Sequence, residues 1–97
     1  MESLTLHDEI ERAIRLYEQM TGCAATRTRQ MIERLGEVGA LSNLMMSPDL
    51  QQGFKVLRDR KQLELSFESI VVRHPELFND DAVQAAQWRL ENPHNLL

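Results

Sequence analysis

Apolar positions recur three and four residues apart from Leu6 to Met20, at Leu6, Ile10, Ala13, Ile14, Tyr17 and Met20. That spacing makes one side of a helix apolar and leaves the other for charge. Thr5 stands where an N-cap is needed, and Asp8 and Glu9 suit the positive end of the helix dipole. Gly22 supplies the stop.

A second pattern starts near Thr26 and puts Thr28, Met31, Ile32 and Leu35 on one side before Gly36 interrupts it; Val38, Leu41, Leu44 and Met45 continue beyond. Running one helix through Gly36 and Gly39 costs roughly 1 kcal/mol per glycine relative to alanine, which favours a break or bend at Gly36. Ser47-Pro48-Asp49 combines a cap, a first-turn proline and an acid, and predicts a helix from about Pro48 to Arg60 with Leu50, Phe54 and Leu57 inward. Gly53 beside Phe54 suggests a close helix approach. Ser66 then caps a helix that turns Phe67, Ile70 and Val71 inward, with His74-Pro75 ending it, although Ile70-Val71-Val72 also has strand propensity. Asn79-Asp80-Asp81 opens a last helix with Ala82, Val83, Ala86 and Leu90 inward, and Pro93 closes it. The expectation is an all-α, compact bundle of about five short helices. It forms a single domain over residues 1–97, with a mobile tail over 92–97.

Composition narrows this picture. Only 5% of the residues are aromatic in a chain that is 42% hydrophobic, so the core must be built from aliphatic side chains and methionine. A single cysteine, Cys23, precludes an intramolecular disulfide, and no charged leader with an apolar run opens the sequence, so a cytoplasmic location is expected. The longest apolar runs are two or three residues, far from the 20 or so needed to cross a bilayer. The net charge of −4 is unevenly spread. Residues 47–62 hold four bases against two acids, whereas 1–22 hold two against five and 63–97 two against six.

Part of the chain has a familiar pattern: Gly53-Phe54-Lys55-Val56-Leu57, Leu63-Glu64-Leu65-Ser66-Phe67-Glu68, Leu77-Phe78 and Ala86-Gln87-Trp88-Arg89-Leu90. Over roughly residues 26–91 it resembles a helical module of hypothetical bacterial proteins, with a Gly-Phe-x-x-Leu start, a Leu-x-Leu-Ser/Thr-x-Glu centre, a Leu-Phe corner and an Ala-x-x-Arg-Leu end. The resemblance implies an α fold and a bacterial source, and transfers no activity and no site residue. The positions themselves have structural readings. Glu68 lies in a first helical turn, Leu65 could staple to Ile70, and Leu77-Phe78 could plug the corner before the final helix.

The residues offer little chemistry. Candidate metal ligands Cys23, His7, His74 and His94 are scattered without ligand spacing. No serine or cysteine sits in a nucleophile signature, Asp80 and Asp81 point apart on a helix, and Gly36-Glu37-Val38-Gly39 lacks the lysine of a phosphate loop. The reading is therefore non-catalytic, without metal or cofactor. Its expected role is a protein-interaction or assembly module whose partner is another protein or, by self-association, a homodimer. Leu44, Met45 and Met46 are consecutive and cannot all face one core, and Trp88 falls off the main stripe of its helix. Met45, Met46 and Trp88 are accordingly the candidate contact residues. The alternative is a nucleic-acid-binding module with Arg27, Arg29, Arg34, Arg58 and Lys61 as a basic strip, assembled if the second and third helices pack side by side. A helix-turn-helix centred on Gly36 fits poorly, because Ile32 and Ser42 stand where its pattern has a small and an aliphatic residue.

Overall fold

The computed structural model describes residues 5–47 and 52–95. Five α-helices follow in order: α1 (Leu6–Thr21), α2 (Thr26–Met45), α3 (Gln52–Asp59), α4 (Phe67–Arg73) and α5 (Asp80–Glu91). Short 3₁₀ turns at Leu63–Leu65 and Pro75–Leu77 frame α4, and no strand occurs among the described residues. The chain is a small all-α bundle, as the periodicity predicts.

The helix ends follow the local chemistry. Thr5 and Asp8 form a reciprocal capping box at the start of α1, and Gly22 closes it in the left-handed conformation at φ 71° with its N–H on the Glu18 carbonyl. The Ser66 hydroxyl accepts the Ser69 N–H at 3.2 Å, and the Asn79 side chain accepts the Ala82 N–H at 2.8 Å. Ile70, Val71 and Val72 are helical, since they lie between a serine cap and a proline stop with no strand to pair with among the described residues. The first turn of the helix expected from Pro48, including Leu50, lies outside the described residues; Phe54 and Leu57 are buried as expected.

Helix α4 occupies the middle, packed most extensively on α5 and also on α1 and α2. Ile10, Leu41, Ile70 and Val71 are at most 1% exposed. Burying side chains of this size contributes roughly 1.5–3 kcal/mol each. Phe78 plugs the corner before α5, whereas its neighbour Leu77 stays outside at 44% exposure. Gly53 faces the Tyr17 ring, but a Cβ there would lie at an ordinary 3.8 Å, so α1 and α3 do not require that glycine for their approach. At the C-terminal end, the Pro93 carbonyl accepts the Arg58 guanidinium at 3.0 Å, which ties the expected tail to the body as far as that residue.

Helix α2 is broken at Gly36, whose φ of 79° and ψ of 170° fall in a region open essentially only to glycine. The break changes which side of α2 meets the core. Before it, Met31 is buried; after it, Ala40, Leu41, Leu44 and Met45 are. Leu35, expected inward from the first half of the pattern, is 45% exposed. A Cβ built on Gly39 would stand 3.2 Å from the Leu35 Cβ, so the bend folds Leu35 onto Gly39 on the outer side.

Candidate interaction surface

Among the described residues, three polar networks hold the helices beside the exposed His7–Glu37 pair that joins α1 to α2 at 2.6 Å. Glu18 carries the first: its carboxylate accepts Arg29 through Nε at 3.2 Å and Nη2 at 2.9 Å, and also the Ala25 N–H at 2.8 Å. Arg29 Nη1 reaches Glu11 at 3.1 Å, so one guanidinium ties two turns of α1 to the start of α2. These bonds, from Arg29 first and Ala25 second, hold the Glu18 carboxyl down at about 2. In the second network Glu9 of α1 bonds His74 and Arg73 at the end of α4, with Arg73 Nη2 at 2.9 Å. Partial burial pushes the Glu9 carboxyl up, but His74 and Arg73 outweigh it and the net direction is down.

The signs set an acid response. Glu9, Glu11 and Glu18 are all lowered from 4.5, so the stability they contribute is complete above that pH and is lost as pH falls through the folded values, reaching about 2 for Glu18. Acid unfolding followed by ellipticity at 222 nm is expected to fall in that window, and more gradually for Glu18→Gln. An unchanged profile in that variant would remove Glu18 from the account.

The third network lies at the junction of α2 with α5. Arg89 Nη1 meets Glu68 at 2.8 Å with both side chains about 5% exposed, and Nη2 donates to the carbonyls of Leu44 at 3.2 Å and Met45 at 2.8 Å. A buried guanidinium thus satisfies the carbonyls in the last turn of α2 and complements the negative end of its dipole. Desolvation raises the Glu68 carboxyl, against the opposing pull of Arg89. Trp88 is 51% and Met46 54% exposed.

Met45 is a core residue at 2% exposure, which corrects its place in an outward patch. Of three consecutive apolar residues, Leu44 and Met45 take the core side of α2 and Met46 is left outside. The outward side instead includes Val38, with Leu35 folded beside it at Gly39. On the helix Val38 stands beside the buried Leu41 and Met45, three and seven residues on, at the edge of the core side, whereas Met46 is turned further from it. The run from Val38 to Pro48 contains no charged residue in a chain that is 27% charged. That run was the available signal for this surface, and the inward stripe of apolar residues concealed it.

The basic strip is not assembled as expected. Helix α3 packs on α1 and the first 3₁₀ turn rather than along α2. Arg29 is held by Glu11 and Glu18, and Arg58 by Asp59 at 3.0 Å and the Pro93 carbonyl. Arg27, Arg34 and Lys61 are exposed. No family model, curated protein or solved structure matches this chain.

A cleft of about 290 Å³ opens between α1, α2, α3 and α4, walled by Ile14, Tyr17, Phe54, Leu57 and Phe67 beside Glu68. Its volume is at the lower end for a small-molecule pocket. The carboxylate it contains is already engaged by Arg89, and the half-buried Glu9–His74 pair is not among its lining residues. Cys23 is exposed in the α1–α2 connection. Among the described residues no three His, Cys, Asp or Glu side chains converge to hold a metal ion, and no helix is long and apolar enough to cross a membrane.

Proposed function

We propose that this chain is a non-catalytic protein-interaction module whose contact surface is the outward side of α2 beyond Gly36, extended by Trp88 of α5. The observation that carries this reading is the uncharged run from Val38 to Pro48, in which Met46 is 54% and Val38 36% exposed. Charge is depleted at the centres of protein interfaces, where tryptophan and methionine are enriched. Methionine adapts its shape to a partner, and tryptophan is a frequent energetic anchor.

The arrangement also accounts for the buried pair. Arg89 is spent on fixing the end of α2 against α5 through the Leu44 and Met45 carbonyls. Met46→Asp and Trp88→Gln are expected to weaken association by about 2 kcal/mol or more if these are anchor positions. The helical circular-dichroism signal should persist, since both side chains are half in solvent. The check is copurification with the tagged native chain, wild type against each variant, with the complex mass measured. Association that survives both substitutions would remove this surface.

A further inference from the structure

We propose that the cleft between α1, α2, α3 and α4 binds a compact aromatic carboxylate of two fused rings, with the rings against Tyr17, Phe54 and Phe67 and the carboxylate at Arg27. This site goes beyond the contact surface proposed above and does not depend on it. The chain has five aromatic residues, and these three line the one cleft. At about 290 Å³ it has nearly twice the roughly 150 Å³ of an apolar cavity that stays dry and takes up benzene. Ring contacts favour a flat aromatic guest over a flexible chain, which gives up more conformational freedom on binding.

Gly53 lines the same cleft on α3. Glycine weakens a helix, and its usual uses are a positive φ or the close approach of another element. Neither applies at Gly53. It is not among the glycines with positive φ, and an added Cβ would stand at an ordinary 3.8 Å from the Tyr17 ring. What the missing side chain provides is room beside that ring. Charge then sets the polar end of the guest. Among the described lining residues, Glu68 and Arg27 are the only charged ones. Glu68 is already neutralised by Arg89 at 2.8 Å, so it calls for no cationic guest. Arg27 is exposed and has no hydrogen-bond or ion-pair partner among the described residues. A guest with an uncharged body and one anionic group matches both.

Titration of the full chain with 2-naphthoate, followed by calorimetry and heteronuclear NMR, is expected to show one saturable site. It should shift the Gly53 amide and the rings of Tyr17, Phe54 and Phe67 but not Trp88, which does not line the cleft. Gly53→Leu, which fills the space, is expected to weaken binding by about tenfold or more through steric exclusion, and Gly53→Ala by less. Arg27→Gln should weaken 2-naphthoate about threefold, the usual size for an exposed charge pair, and leave the neutral 2-naphthalenemethanol unchanged. Octanoate, with the same charge on a flexible chain, should bind more weakly than 2-naphthoate. No saturable shift with 2-naphthoate, or shifts centred on Trp88, overturns the site. So does undiminished binding in the Gly53 variants; if leucine disturbs the helical signal, the alanine variant and the ring shifts decide. Equal binding of the acid and the alcohol overturns the carboxylate, and octanoate equal to 2-naphthoate overturns the aromatic body. Each of these results leaves the Met46→Asp and Trp88→Gln test of the contact surface untouched.

Discussion

Replacing Arg89 with methionine is expected to destabilise the fold by about 3–5 kcal/mol at neutral pH, the usual range when one partner of a buried ion pair is removed. Both side chains are about 5% exposed, so solvent cannot take over the lost contact. Methionine leaves the Glu68 carboxylate buried without its 2.8 Å partner and strips the Leu44 and Met45 carbonyls of their donor. The loss depends on pH in a definite sense. Burial already raises the Glu68 carboxyl, and without Arg89 only a backbone hydrogen bond opposes that effect. A folded value above the unfolded one means that the native state keeps its proton longer, so the variant is least impaired in acid and loses stability as pH rises through the folded value.

The paired variant Arg89→Met with Glu68→Met separates the cost of an unpaired charge from the worth of the pair. It should recover much of the loss, because two apolar side chains leave no buried charge. Urea unfolding at neutral and acidic pH, completed as a double-mutant cycle, measures both quantities. A neutral-pH loss below about 1 kcal/mol for the single variant would show that the pair is solvated in solution and does not anchor the junction.

The second large effect compares a buried with a half-exposed position on α2. Leu41 is fully buried and Val38, three residues earlier, is 36% exposed. Leu41→Ala removes buried methyl groups and leaves a cavity, at an expected cost of about 2–5 kcal/mol. Val38→Ala should change stability by no more than about 0.5 kcal/mol, as is usual for a surface position. Chemical denaturation of the two variants gives the comparison directly. Similar losses at both positions would mean that Val38 is packed within its own chain, and the outward face would lose its main member.

The elements legible in the sequence are those whose stabilising contacts close within a turn or so. Thr5 with Asp8, Ser66 with Ser69 and Asn79 with Ala82 are pairs three residues apart, so the helix starts could be read without the fold. Gly36 was legible for a similar reason, since its backbone conformation is a property of one residue. The candidate surface was legible only in part. Met46 and Trp88 are exposed as their positions off the main stripes suggested, but Met45 is buried and Leu35 turns outward, because the bend at Gly36 resets which side of α2 faces the core.

The charged residues show the limit most clearly. Glu68 reads from sequence as an acid suited to a helix start and Arg89 as a base suited to a helix end, and both locations are observed. Their burial against each other, 21 residues apart, depends on how α4 meets α5, and Arg89 reaches α2 across 44 and 45 positions. Arg29 likewise was a candidate for phosphate until α1 laid Glu11 and Glu18 against it. Amphipathic spacing, caps and glycines therefore determined five helices and most of their ends, because those signals act over three or four residues. Which charges are spent inside the molecule, and which apolar residues are left for a partner, was decided by helix packing, because burial and ion pairing depend on residues distant in the chain.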